Sequence, residues 1–414
     1  MNKKIDVLVV GAGLSGIGAG YHLQKKCPET SFLILEGREN IGGTWDLFKY
    51  PGIRSDSDMY TLGYNFKPWK EQKAIADAPS ILKYLNETVE EFNLKSKIRF
   101  GKYVKKARWS SDSNQWTVDI EDKKTGKFSQ ILCSFIFMCS GYYSYKEGYT
   151  PHFEGKENFK GDIIHPQKWD PSFDYSNKKI VVIGSGATAV TIVPEMAKTA
   201  KHVTMLQRSP TYVVAAPERD NLANKLRKYL PLKFTYWFIR WRNILRQQYY
   251  FRLCKKYPKG VKNVIIREVK KKLGNDFDVK THFTPKYNPW DQRMCLVPDG
   301  DLFEQINQGK ASVVTDHIKN FTENAILLKS GKELKADVII TATGLNLEML
   351  STVEFFIDNK SVDISKTVTY KGMMYSGIPN LASTFGYTNA SWTLGADLTS
   401  EYVCRVINLS LIHI

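Results

Sequence analysis

Acidic residues are almost missing from one stretch of this 414-residue chain: residues 221–273 carry 16 Lys or Arg and a single acid, Glu268. The formal charge of +17 is therefore concentrated there. That excludes a global field for nucleic acid and leaves a local basic surface. Paired cysteines are lacking too. Cys27, Cys133, Cys139, Cys254, Cys295 and Cys404 show no C-x-x-C and no metal-ligand spacing. This argues against a metal site and against thiol–disulfide redox chemistry, and free thiols in a reducing cytosol are expected. No apolar run is long enough to span a bilayer. The start, MNKKIDVLVVGAG, passes straight into a strand and a glycine loop, so it does not read as a signal peptide. With 43% hydrophobic residues and a mean hydropathy of −0.34, the chain fits an ordinary globular protein. Its length suits two or three domains, and a cytoplasmic location follows.

Two glycine loops stand out. Ile5–Val10 is a short β-branched apolar run, as expected of a strand buried on both faces. It feeds Gly11-Ala12-Gly13-Leu14-Ser15-Gly16 and a helix-like stretch, Ile17–Lys26. Gly11 suits the tight turn, Gly13 the approach of pyrophosphate, and Gly16 the packing of helix on strand. The free N–H groups of the helix N-terminus then face the phosphates. A second strand, Ser31–Leu35, ends at Glu36, where a carboxylate accepts from ribose hydroxyls and repels a 2′-phosphate. This site calls for FAD or NAD.

The second loop follows the apolar strand Lys179–Ile183 and reads Gly184-Ser185-Gly186-Ala187-Thr188-Ala189. Its next strand, His202–Leu206, ends in Gln207-Arg208-Ser209, with no acid at the ribose position. A guanidinium there pairs with phosphate through a planar fork of donors. This half prefers NADP(H).

Between the loops, Phe159–Asp170 reads FKGDIIHPQKWD, of the form F-x-G-x-x-x-H-x-x-x-W-D. The order of loop, run and loop resembles the fingerprint of the type I Baeyer–Villiger monooxygenases. The resemblance implies FAD and NADPH as cofactors and O2 as co-substrate. It also implies conversion of ketones to esters or lactones through a C4a-peroxyflavin, with S-oxidation of thioethers alongside. Ile41-Gly42-Gly43-Thr44-Trp45 resembles the segment that runs along the flavin, and the match continues through Tyr50-Pro51-Gly52-Ile53-Arg54-Ser55-Asp56. In the family the aspartate at Asp56 lies beside the flavin and a catalytic arginine. Val104, in the strand-like stretch Lys97–Arg108, matches a backbone contact to adenine. His165 and Trp169 match a linker that couples the two domains, with His165 moving no proton.

The implied reacting centre lies in Pro285–Pro298, PKYNPWDQRMCLVP, where the match to the catalytic arginine is Arg293. A fixed guanidinium stabilises oxyanionic charge in a dry site, and Asp56 is expected to hold it. One position departs: Gln292 stands where many relatives have a lysine that grips the NADP phosphate. The wording here, and in Phe385–Trp392, is closest to the mycobacterial ethionamide-activating subgroup. Strand-like Gln130–Met138 and Lys335–Thr341 end in Cys139-Ser140-Gly141 and Ala342-Thr343-Gly344, which resemble crossovers between the cofactor domains.

The expected fold is α/β, with two Rossmann-like dinucleotide-binding domains. Residues 1–145 and 331–414 are expected to form the FAD domain, and 146–330 the NADP domain with a basic helical insert at about 215–290. The apolar ending, Asn408–Ile414, and the length of family members make a truncated C-terminus an expectation. Within the insert, Leu226, Leu230, Phe234, Trp237, Phe238, Trp241, Ile244, Leu245 and Tyr249 recur at helical spacing, past Pro231. Two readings stay open: an insertion packed by this face on the NADP domain, and an interfacial helix making peripheral membrane contact. Nucleic acid is not expected, since no binding module accompanies the charge. A homo-oligomer is left open. The alternatives in function are an N- or S-oxidising flavin monooxygenase and an inactive flavin-binding protein.

Overall fold

A computed structural model of the chain describes residues 4–292, 294–387 and 390–413. Two β-layers organise it. In the first, β1 (Lys4–Val10) lies between β2 (Phe32–Leu35) and β6 (Phe128–Met138), parallel to both. All four residues of β2 and the last four of β1 are buried, as the continuous apolar runs require. Beyond β2 comes β3 (Ile98–Arg99). Beyond β6 the sheet turns antiparallel through β5 (Gln115–Asp122) and β4 (Lys102–Ser110). The stretch expected as one strand over Lys97–Arg108 is thus two, separated by Gly101, whose φ of +64° ends the first.

The second layer is a five-stranded sheet in the order β13-β10-β9-β17-β8. Its members are β8 (Asp162–Ile164), β9 (Lys179–Ile183), β10 (His202–Gln207), β13 (Ala311–Thr315) and β17 (Val338–Thr341), all parallel. A separate antiparallel trio, β14 (Ile318–Phe321), β15 (Ala325–Leu328) and β16 (Glu333–Lys335), precedes β17. The single strand expected over Lys335–Thr341 is therefore divided, because Lys335 pairs with Ala325 of β15 and Val338 with Ile180 of β9. The division drawn at residue 331 is corrected with it: β17 pairs with β9, so the chain returns to the first layer only after Thr341. Leu381–Ser383 then pairs with the end of β6, and α11 (Trp392–His413) packs beside α1 (Leu14–Lys26), where Lys26 meets Glu401 at 3.1 Å. All six cysteines are buried, and among the described residues none forms a disulfide.

The basic insert comprises α6 (Asn221–Leu226), α7 (Leu232–Lys256), α8 (Pro258–Leu273) and α9 (Val279–Phe283). Pro231 caps α7 and Pro258 opens α8, positions where a missing N–H costs nothing. Of the two readings left open for α7, the packing by its aromatic face is found inverted. Its buried side is Thr235, Tyr236, Ile239, Arg240 and Cys254, whereas Phe234, Trp237, Phe238, Trp241, Leu245 and Tyr249 face outward. Nor does α7 rest on the second layer. Tyr236 and Ile239 join the core of the first, while Val269 and Leu273 of α8 join that of the second.

Arg240 explains the inversion. Its buried Nη1 donates to the carbonyls of Tyr60 at 2.8 Å and Gly63 at 2.7 Å, flanking the end of α3 (Met59–Leu62), and Nη2 lies 3.7 Å from Asp397 of α11. Nearby, Tyr236 donates to the Tyr64 carbonyl at 2.9 Å. Removing the guanidinium strands these acceptors and leaves the Asp397 carboxylate with less compensation. Arg240→Met is expected to cost about 3 kcal/mol, read as a fall in the thermal midpoint. An unchanged midpoint would show that water replaces the cation without loss.

Candidate active site

A cavity of about 1300 Å³ opens along the first loop. Gly11, Gly13, Ser15 and Glu36 line its base, and Gly43, Thr44, Trp45, Asp56 and Val104 its walls. Gly16 lies beneath: a Cβ there would stand 1.8 Å from the Gly11 carbonyl oxygen, so helix and loop could not close. Glu36 is buried, and its carboxylate accepts the N–H of Ala12 at 2.7 Å and of Arg38 at 2.9 Å. Burial pushes its pKa up, and the two backbone donors work against that. Four lone-pair sites less two leave acceptors for a ribose diol. The donor set and the glycine cradle at Gly13 and Gly43 therefore fit a dinucleotide.

The crossovers meet this site. A Cβ on Gly11 would lie 2.6 Å from the Cys139 carbonyl oxygen; one on Gly184 would lie 2.3 Å from that of Ala342. Both glycines have positive φ, +103° and +137°. The fingerprint run ties the crossovers together. Phe159 packs edge-on to Phe321, and Trp169 lies in the second core against Phe173 and Tyr175. Between these anchors, His165 Nδ1 accepts from Gln167 N at 3.1 Å, and Nε2 lies 3.1 Å from the Gly344 carbonyl. A carbonyl only accepts, so the ring is the neutral Nε2–H tautomer. Gln167 in turn donates to Ser144 beyond the first crossover, at 2.7 Å. His165 is held as a tie between segments, with both ring nitrogens occupied.

The second loop, Gly184 to Thr188, opens α5 (Ala187–Met196) beside the C-terminal end of β9. Ser185 Oγ lies 2.9 Å from Thr211 Oγ1. Arg208 and Ser209 are exposed at the end of β10, and among the described residues Arg208 forms no ion pair. Gln207 has protein partners of its own: its buried amide donates to the His282 carbonyl at 2.7 Å and to Thr315 at 2.9 Å, so its side chain secures α9. Arg54 is likewise engaged. It does not line the cavity; Nη1 donates to Asp301, at the start of α10 (Asp301–Asn307), at 2.6 Å. It therefore bridges the two layers. Desolvation raises the pKa of Asp301, and Arg54 opposes the rise.

Arg293 lies outside the described residues, and so does its pairing with Asp56. Trp290 and the strand β12 (Met294–Pro298), on either side of it, supply Trp290, Met294 and Cys295 to the cavity that Asp56 lines. Several wall residues escaped the sequence reading. Tyr145 lines the cavity near Glu36; burial, then the Glu36 charge, raises its pKa and keeps it a phenol. Trp392 donates from Nε1 to Ser15 at 2.7 Å and stacks on Tyr142 at 5.3 Å. The aromatic run Tyr142-Tyr143-Ser144-Tyr145, directly after a crossover, was the available signal.

A family model described as flavin-binding monooxygenase-like matches residues 2–406. The FAD-containing monooxygenase EthA of Mycobacterium tuberculosis is 55% identical over 409 residues, 99% of this chain and 83% of EthA. Among solved structures, open cyclohexanone monooxygenase matches with a TM-score of 0.83 at 20% identity, over 99% of this chain and 88% of that one. The complex of OTEMO with FAD and NADP matches with a TM-score of 0.81 at 22% identity, over 100% and 87%. At those identities the structural likeness is one of fold: two dinucleotide-binding layers arranged as here.

The tie at His165 titrates. Burial lowers its pKa below the ordinary value, with the Gly344 carbonyl opposing, so the unfolded chain takes up a proton that the native ring refuses. Stability present above about pH 6.5 is therefore lost as pH falls through the depressed folded value. His282 shifts in the same direction, also by burial. His165→Gln is expected to flatten the fall in thermal midpoint below pH 6.5 and leave the part due to His282. An unchanged slope would remove His165 as a source.

Proposed function

The chain belongs to the flavin-binding monooxygenase-like family, and on that premise we propose that it is an FAD- and NADPH-dependent monooxygenase that converts ketones to esters or lactones. Thioether sulfur is the secondary substrate. One atom of O2 enters between the carbonyl carbon and its neighbour, the other leaves as water, and NADPH supplies two electrons. Bound FAD would carry those electrons from NADPH to O2. The observation that carries the reading is the single cavity shared by the Gly11–Gly16 loop, Asp56 and the residues flanking position 293.

The chain's own groups divide the task. Glu36, held by two backbone N–H groups, receives the ribose of FAD. Arg208 takes the 2′-phosphate of NADPH, and its exposure without an ion pair supports that role. Arg293, assigned from sequence, stabilises negative charge on the carbonyl oxygen, with Asp56 orienting it. Tyr145 and Trp45 wall the site with rings and restrict water.

Two variants test these assignments. Arg208→Ala is expected to raise the KM for NADPH roughly 10- to 100-fold, as the loss of a charge-assisted pair costs about 1.5–3 kcal/mol, while the KM for NADH barely moves. Equal effects on both would remove Arg208 from the site. Arg293→Ala is expected to slow ester formation by at least about 100-fold with FAD still bound, NADPH oxidation diverting to hydrogen peroxide. Ester formation at the wild-type rate would sink the assignment. Sulfoxide with no ester from any ketone, by mass analysis of products, would favour the S-oxidising reading.

A further inference from the structure

Helix α7 turns its aromatic side to solvent. Trp237, Trp241 and Tyr249 are 54%, 48% and 65% exposed, and Phe234, Phe238 and Leu245 complete the same side at three- and four-residue steps. Scattered apolar residues on a surface need no explanation, but a continuous stripe of large rings does. The opposite side is fixed by Arg240, Tyr236 and Asn243, whose amide donates to Asp58 at 2.9 Å. The stripe is thus presented by a rigid attachment.

Part of the charge around it is compensated, Arg242 by Asp220 and Lys255 by Asp291 at 2.8 Å, and part is not. Among the described residues, Lys228, Lys233, Arg246, Arg252 and Lys256 form no ion pair with a carboxylate, and the one acid of 221–273, Glu268, is taken by Lys271 at 2.7 Å. The complementary charge must come from outside. A second copy meeting this face would set the same unpaired cations against one another, and like charges oppose such a two-fold interface. A single convex helix also offers no groove for an acidic peptide. Rings at the depth of lipid headgroups, with Lys and Arg beside anionic phosphates, match both features. No helix among the described residues is long and apolar enough to cross a membrane, so the contact is one of lying on the surface.

The stripe also reaches the site. Arg246, Tyr249 and Leu253 line the cavity, and Tyr249 belongs to both surfaces. We infer that α7 docks this protein on an anionic lipid surface, and that its substrates are lipophilic ketones or thioethers entering from the membrane past Tyr249. The second half rests on the proposed monooxygenase reading; the docking does not.

The test uses the FAD-loaded full chain with vesicles of phosphatidylcholine alone or mixed with phosphatidylglycerol. Wild type is expected to sediment with the mixed vesicles only, and less so as salt screens the contact. Replacing Trp237, Phe238 and Trp241 together by serine is expected to lower the bound fraction at least about tenfold. None of the three lines the cavity, so flavin absorbance and turnover of a short, water-soluble ketone are expected to stay unchanged. A long-chain ketone dissolved in the vesicles should be turned over more slowly by the variant. Wild type left in the supernatant at low salt overturns the docking, as does a variant that binds equally well. Self-association that the variant abolishes, without vesicle binding, would reassign the stripe to a second copy. Equal turnover of the embedded ketone by both proteins overturns entry from the membrane alone. If neither ketone is turned over by wild type, the reaction is wrong and sedimentation still decides the docking.

Discussion

Where each glycine loop meets a crossover, the backbone leaves no room for a Cβ. Gly11 abuts the Cys139 carbonyl and Gly184 the Ala342 carbonyl, both far inside contact distance for any side chain. The pairing of β1 with β6, and of β9 with β17, sets these approaches, since each crossover is the end of the strand beside the loop. The consequence is spatial. The helix N-terminus that can receive a phosphate and the point where the chain changes layer are the same place in both halves. His165 and Gln167 then connect the two crossovers to each other, so the nucleotide sites share one junction.

Much of this was readable from residue order. β9 has the limits that its apolar run indicated, and β1 and α1 differ from expectation only at their N-terminal ends. A continuous β-branched run followed by small residues has few other solutions. The failures have distinct causes. Lys97–Arg108 and Lys335–Thr341 read as single strands because their breaks are only two residues long; the positive φ of Gly101 ends one, and a change of partner after Lys335 ends the other. Arg54 and Gln207 also make contacts within the protein that one dimension does not show. Their partners, Asp301 and His282, are 247 and 75 residues away, and no local pattern announces them.

Helix α7 shows a different limit. Periodicity reports which residues share a side, and it does so correctly for Phe234 through Tyr249. It does not report which side is covered. That choice is made by Arg240, whose guanidinium fits carbonyls left open around α3 and the carboxylate of Asp397. A polar residue therefore selects the inner face, and the hydrophobic side is left outward. The arrangement also joins three distant parts of the chain, α3, α7 and α11, at one wall of the cavity.

The buried thiols carry a consequence for durability. Peroxide attacks thiolate far faster than thiol. Burial pushes Cys133 and Cys139 up to about 12 and raises Cys27, Cys254 and Cys404 as well. At neutral pH these side chains therefore offer almost no anion, and none is open to solvent. Cys139 lines the cavity under the first loop, so on the proposed reaction it would meet any peroxide released there. In that position the chain holds a sulfur that peroxide consumes only slowly, so leakage at the site would waste reductant long before it damaged the scaffold.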